Sequence, residues 1–327
     1  SKVYKYHMKI LAVQNRMGIG DTIIFLPFIK ALYKKFNSPI SLLVKESSKA
    51  NQYLYQTEYI DKILLLERDD KNNSRHSGFF GSINLIKDLK KHNFDKIFIF
   101  NSSFRFYLIS KFLGISEIHQ YPLFQKNRQH ITDAPKKFIK DKLNLEVNED
   151  PEIQINDKLT SKLIEKFQIK KNEMNILLGV GGSGPTKRIP AKTFLNVIDK
   201  ISKVKKCKFF LAAGKNREEQ NIITEILESK YKNLCIPLDN FSIKETLPII
   251  KNCNLSVCND SSFSHLSAAL GIKTITLMAD TPLIYGSYSS KMFPIIPDGE
   301  EIVVHNTLGK EKINSQKIFD KIIEIAN

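Results

Sequence analysis

The chain has 327 residues, 42% of them hydrophobic, more than the roughly 100–200 residues of one domain, which predicts two domains with sizeable cores and excludes wholesale disorder. Net charge is +16: through Glu152 there are 25 basic and 16 acidic residues, and beyond it 25 and 18, so the excess of +9 and +7 is spread over both halves. No apolar run reaches the ~20 residues that span a bilayer, and SKVYKYHMKI lacks the apolar segment of a secretion signal, so a soluble, cytoplasmic protein is expected.

The first predicted strand, KILAVQ at 9–14, runs into QNRMGIGDTIIFLP, a glycine-containing loop that leads to a helix at 22–36. A strand, a glycine loop and a helix in that order commonly hold a nucleotide phosphate. Here the dinucleotide fingerprint fails, because Gly18 and Gly20 are followed by Ile23 where a third glycine is needed, and no GK[ST] of a P-loop follows. Asp21 then has two readings: a carboxylate capping the helix, or a general base at the mouth of the sheet. Strands at 39–45, 62–67 and 96–101 and helices at 47–57, 80–92 and 104–113 complete the first half. Segment 68–79 (RDDKNNSRHSGF) is charged and without apolar period, so a mobile loop is expected there.

Residues 144–172 are dominated by polar side chains and interrupt the strand spacing, which predicts one domain at 1–155 and another at 156–327. In the second half, the strand at 175–180 opens GVGGSGPTKRIPAKTF (179–194). Gly181, Gly182 and Gly184 let backbone amides turn toward a ligand; Ser183 and Thr186 add hydroxyls, Lys187 and Arg188 add charge, and Pro190 suits the first turn of a helix at 191–203. That set fits an oxyanion or diphosphate, the alternative being a flexible surface turn. A strand at 208–214 ends in AAGKNREEQ, where Glu218 or Glu219 either accepts a ribose hydroxyl or is a solvated acid in the first turn of a helix at 216–229. A strand at 233–238 and a helix at 242–251 follow. The strand at 255–259 then leads into CNDSSFSHLSAALG, which puts Asp260, Ser261 and Ser262 at the start of a helix at 262–270, where free amides favour a phosphate. His265 lies one turn in and reads either as a cleft-facing group or as a packed bystander. A strand at 273–279 and a helix in SQKIFDKIIEIAN, suited to packing on either domain, come last.

Runs apolar on both faces and alternating with helices predict parallel sheets covered on each side, hence two doubly wound α/β domains with ligands at the carboxyl ends of the strands, in a cleft. Cys207, Cys235, Cys253 and Cys258 form no CxxC pair, which argues against a zinc site or disulfide framework and for buried thiols in a reducing compartment. The lysine excess is either an ordinary solvated surface or an attraction to an anionic partner: nucleotide phosphate, phosphorylated glycan or an acidic membrane face. No basic-aromatic stripe favours nucleic acid.

Taken in order, GIGDTIIFLP, GGSGPTKRIP and DSSFSHLSAALG resemble the three motifs of the glycosyltransferase family 9 heptosyltransferases, which build lipopolysaccharide cores. The resemblance spans nearly the whole chain and is most specific in the third motif. It implies a GT-B fold of two Rossmann-like domains, the acceptor in the first and the nucleotide sugar, ADP-heptose, in the second. It also implies inverting transfer without metal or cofactor onto an anionic glycan or glycolipid at the inner membrane face. By position, Asp21 resembles the base, with Gly18 and Gly20 in its acceptor loop. Gly182, Ser183, Thr186, Lys187, Arg188, Glu218, Asp260, Ser261, Ser262 and His265 resemble donor-binding residues. The sequence departs from the family pattern at Ile189 (aromatic in the family), at Ser261-Ser262 (Thr-Gly) and across LMADTPLIYG, which lacks Phe-Gly-Pro-Thr-Asp. Two other readings stay open: another GT-B reaction such as epimerisation or phosphorolysis, and a catalytically silent nucleotide- or glycan-binding protein.

Overall fold

A computed structural model describes residues 8–68, 74–125 and 130–326. It divides into two compact units, Ser1–Pro151 and Glu152–Asn327, where the sequence reading placed the boundary after residue 155.

The first unit is built, in chain order, from β1 (Ile10–Gln14), α1 (Ile19–Phe36), β2 (Ile40–Lys45), β3 (Ile60–Leu66), α2 (Gly78–Lys90), β4 (Lys96–Ile99), α3 (Phe104–Phe112), β5 (Glu117–Gln120) and α4 (Asp133–Leu143). All its strand pairs are parallel, in the order β3-β2-β1-β4-β5. Every residue of β1 is buried because this strand is central and covered on both faces, which explains its unbroken apolar run. After β1 the chain adds strands on one side, then crosses back to add β4 on the other. The two halves of the sheet therefore diverge between β1 and β4, where doubly wound folds bind ligands.

The first unit departs from the sequence expectations in the helix at 47–57 and in two elements beyond those expected. The helix expected at 47–57 is two short 3-10 turns, Glu46–Ser48 and Ala50–Gln52, because Lys49 between them adopts a left-handed φ of 50° that no helix continues through. The Tyr53 hydroxyl locks this corner by donating to the Ser48 carbonyl at 2.8 Å. Strand β5 and helix α4 were not anticipated: EIHQ is a partly exposed edge strand with no apolar run, and α4 is lysine-rich. Of the segment expected to be a mobile loop, 69–73 lies outside the described residues. The part that follows is specifically held. His76 accepts from the Glu67 amide through Nδ1 (3.0 Å) and meets Asp88 through Nε2 (2.7 Å), while Arg75 Nε reaches the same carboxylate at 2.8 Å.

The second unit contains α5 (Asp157–Lys166), β6 (Met174–Gly179), α6 (Ala191–Ser202), β7 (Cys207–Ala212), α7 (Arg217–Leu227), β8 (Cys235–Pro237), α8 (Ile243–Lys251), β9 (Leu255–Asn259), α9 (Ser262–Ala269), β10 (Thr274–Leu277), β11 (Met292–Ile295) and α10 (Ser315–Ile325). Its sheet is again parallel, in the order β11-β10-β9-β6-β7-β8, with its switch point between β6 and β9. Gly179 is required there: a Cβ at that position would lie 2.7 Å from the Cys258 sulfur. Strand β11, which carries Pro294, was not anticipated; Pro is tolerated because the strand is at the sheet edge. Helix α5 was hidden inside the polar break because it buries no residue fully. Helix α10 packs on α6 and β10, placing Ile318, Ile322 and Ile325 in the core of this unit. The four cysteines are free and buried; burial pushes the Cys207 and Cys235 thiols up to about 11 and about 12. No helix among the described residues is long and apolar enough to cross a membrane.

Candidate active site

At the switch point of the second unit, the loop after β6 meets the start of α9. Asn259, fully buried at the end of β9, donates through Nδ2 to the carbonyls of Val180 and Gly181, both at 3.1 Å, and so pins the glycine loop across the gap between strands. The loop is fixed from the other side by Glu219, whose buried carboxylate accepts from the Gly182 amide at 2.8 Å, the Gly214 amide at 3.2 Å and the Asn216 side chain. Gly181 must lack a side chain for this, since a Cβ would lie 2.2 Å from Glu219 Oε1.

Held this way, the loop brings Lys187 over Asp260, with Nζ 3.4 Å from Oδ2. The same carboxylate oxygen accepts from the Thr281 hydroxyl at 2.7 Å, and Asp260 Oδ1 stands 3.9 Å from His265 Nε2. On its other edge His265 Nδ1 lies 2.6 Å from the Tyr288 hydroxyl, the two rings stacked at 5.6 Å. Burial lowers the pKa of His265, Asp260 works against that and Lys187 with it; burial, aided by Asp260, holds Tyr288 well above the usual tyrosine range. His265 is therefore neutral near pH 7, with Nδ1 in hydrogen-bond contact with the Tyr288 hydroxyl and Nε2 on the side of Asp260. A carboxylate beside an anion site would repel its ligand unless its charge is met by other groups. Asp260 is already engaged by Lys187 and Thr281.

Helix α9 opens without a side-chain cap. Ser261 occupies the cap position, and its buried Oγ has no partner among the described residues. Ser262, the first helical residue, is partly exposed. Uncapped amides, the helix dipole, a free hydroxyl and Lys187 together make this a place for phosphate oxygens. Ser183 is exposed at the loop tip, and a Cβ on Gly182 would contact the Asp260 carbonyl at 3.8 Å, so the backbone there runs close to the start of α9.

The remaining expected donor residues are turned elsewhere. Arg188, buried, donates from Nε to the Gly182 carbonyl at 2.8 Å and pairs with Glu218. Thr186 bonds Asp280. Burial pushes that carboxyl up, but Thr186 and the Leu308 and Asn306 amides outweigh it and hold it below its ordinary value. Ile189, one of the departures from the expected family pattern, is fully buried in the core. Asn259, Asp280, Thr281 and Tyr288 escaped the sequence reading. Their roles come from topology, and the departure LMADTPLIYG supplies two of them.

In the first unit, Asp21 is the third residue of α1 rather than its cap; Gly18 holds the cap position with φ 94° and ψ 161° and no capping side chain. In the first turn the helix dipole favours a carboxylate. Asp21 Oδ2 lies 3.7 Å from where a Gly18 Cβ would sit, and Gly20 is the second helical residue. In the same unit, at the ends of β1, β4 and β5, five buried polar atoms lack partners among the described residues: Gln14 Nε2, Asn101 Nδ2, Ser102 Oγ, Gln120 Oε1 and the Tyr121 hydroxyl. The strand registers set these ends side by side, and the Gln120 amide, the Ser103 backbone and Asn101 form one hydrogen-bonded chain. Buried polar groups left unpaired are costly and mark a place for a polar ligand.

Two doubly wound parallel units, each with its polar groups gathered at the switch point, define the GT-B class of α/β protein. The model of glycosyltransferase family 9 (heptosyltransferase) matches residues 83–322. The chain belongs to that family and is a glycosyltransferase. It is 27% identical to lipopolysaccharide heptosyltransferase 1 of Campylobacter coli over 93% of both chains. It is 30% identical to lipooligosaccharide heptosyltransferase 2 of Campylobacter jejuni over 80% of this chain and 78% of that one. Among solved structures, E. coli ADP-heptose lps heptosyltransferase II superposes with a TM-score of 0.74 over 98% of both chains at 16% identity.

Proposed function

We propose that the protein transfers heptose from ADP-heptose to a lipopolysaccharide-core or related surface glycan, with inversion and without a metal. The observation that carries this reading is the pairing of Lys187 with an uncapped α9 N-terminus bearing the unpartnered Ser261 hydroxyl. The relatives' names point to the heptosyl donor. In the reaction Asp21 takes the proton of an acceptor hydroxyl. The oxygen attacks the anomeric carbon from the side opposite the diphosphate, and the bond from that carbon to the phosphate oxygen breaks. The electron pair leaves with ADP, whose added charge falls on Lys187 and the α9 amides, the role a divalent cation serves elsewhere. Ser183 and Ser262 supply further donors to the phosphates, and His265 positions Asp260 and through it Lys187. The buried polar groups at the ends of β1, β4 and β5 receive hydroxyls of the acceptor, an anionic glycan or glycolipid at the inner membrane face.

The test is transfer from ADP-heptose to a heptose-deficient core acceptor. Asp21→Asn is expected to cut kcat about 100- to 10,000-fold, the range for loss of a general base, while ADP binding measured by calorimetry is unchanged. Lys187→Ala is expected to weaken ADP binding at least about tenfold, and chelator is expected to leave the wild-type rate intact. Undiminished turnover by Asp21→Asn removes the base assignment; ADP bound as tightly by Lys187→Ala removes the diphosphate site.

A further inference from the structure

Helix α3, FRFYLISKF, carries apolar residues on both its inner and its outer face. Phe106 and Ile109 pack into the first unit's core, whereas Phe104, Leu108 and Phe112, spaced i, i+4, i+8, form a ridge along the outer face. Beside it α2 opens with Phe79 and Phe80, their rings 5.7 Å apart edge to face, and Phe124 rests on Phe104 at 5.9 Å. Phe79, Phe80, Phe112 and Phe124 are 77%, 78%, 71% and 79% exposed. Arg105 joins the first turns of the two helices, donating from Nε to Ser82 Oγ at 2.7 Å and from a second nitrogen to the His76 carbonyl. The rings therefore stand on one connected face, on the order of 500 Å² of aromatic surface, about as large as the largest patch a soluble monomer usually exposes.

The charges around the ridge select its occupant. On α2, Lys87 follows Phe80 and Ile83 along one face; on α3, Lys111 follows Phe104 and Leu108, its ammonium 5.6 Å from the Tyr107 ring centre. The two helices carry a single carboxylate, Asp88, and it is paired with Arg75. A net charge of +16 opposes a second copy of the chain on this face. Exposed rings flanked by lysines suit a bilayer interface, where aromatics enter the headgroup–acyl boundary and lysines meet anionic headgroups.

We propose that the α2–α3 face seats the protein on an anionic lipid bilayer, with Phe79, Phe80, Phe104, Phe112 and Phe124 entering the interface and Lys87 and Lys111 contacting headgroups. This deepens the reading of a glycolipid acceptor at a membrane face.

The full chain is floated with vesicles of phosphatidylcholine alone and of phosphatidylcholine mixed with phosphatidylglycerol. Binding is expected to the second and not the first. Phe79→Ser with Phe80→Ser is expected to lower partitioning at least about tenfold, from lost apolar burial, and Lys87→Glu with Lys111→Glu to lower it and remove its salt sensitivity. Unchanged thermal midpoints and unchanged transfer to a soluble acceptor fragment show that these variants are folded and that the site is intact. Wild-type protein that stays unbound on anionic vesicles, Phe variants that float like wild type, or a concentration-dependent dimer lost in the Phe variants each overturns the proposal. Vesicle binding without any transfer activity overturns the heptosyltransferase reading and leaves the membrane face standing.

Discussion

Glu218 and Glu219 are adjacent in the chain and do opposite work. Glu219 is buried and accepts from two backbone amides and Asn216, while Glu218 lies on the surface and pairs with Arg188. Bonds to a buried ionised group contribute about 1.5–3 kcal/mol each without adding fully, so Glu219→Ala is expected to cost about 2–4 kcal/mol in a denaturant titration and to raise KM for the donor. Glu218→Ala is expected to cost at most about 1 kcal/mol, since its partner pair is half in water. Either Glu was eligible from sequence; only the turn that aims Glu219 at Gly182 separates them. The same holds for His265, whose environment is assembled from Asp260, Lys187 and Tyr288. Its folded pKa lies below the ordinary 6.5. The stability linked to neutral His265 is therefore complete above that value and is lost as pH falls from it toward the lower folded value. Denaturant titrations at about pH 8 and about pH 5.5 are expected to show a larger loss for wild type than for His265→Gln. Equal losses would mean the imidazole takes up its proton without resistance. Asp21, Lys187 and His265 were legible because each sits inside a local motif. Asn259, Thr281 and Tyr288 were not, because their partners lie across strand crossovers.

Helix α1 shows how an element sets the position of the proposed base, Asp21. Its start is set by Gly18, whose φ of 94° and ψ of 161° belong to a region open essentially to glycine. A Cβ there meets nothing closer than 3.7 Å, so space is not the obstacle and the backbone conformation is. Gly18→Ala is expected to cost about 1–3 kcal/mol of stability by that strain. As the first turn shifts to relieve it, Asp21 moves, and kcat is expected to fall about ten- to hundredfold with ADP affinity unaltered. Thermal unfolding, steady-state kinetics and calorimetry on one preparation separate these effects; a loss of ADP affinity would detach Gly18 from the acceptor side. Central strands and their following helices were readable because β1, β2, β6 and β9 are apolar on both faces. The edges were not. Strand β5 alternates weakly, β11 contains Pro294, and the apparent helix at 47–57 is broken by the left-handed Lys49, which no apolar period reveals.

At the scale of the molecule, each unit has a core of its own: Leu11, Val13, Ile97 and Ile99 lie in one cluster, Ile176, Leu178, Val257 and Ile318 in another. The two-unit organisation was legible because each half of the sequence repeats the same alternation of strand and helix. Separate cores permit separate unfolding, so heat denaturation is not expected to be a single two-state step. If the nucleotide is held by the second unit alone, ADP stabilises that unit by mass action, by about 2.7 kcal/mol at a hundred times its Kd. Calorimetric scans with and without ADP are then expected to differ by the upward movement of one transition while the other stays fixed. On the proposed roles, Lys187→Ala should abolish the movement, because Lys187 is assigned to the diphosphate, and Asp21→Asn should preserve it, because Asp21 is assigned to the acceptor. Two transitions rising together would mean that ADP also binds, or couples to, the first unit, and the division of labour between the two sheets would fall.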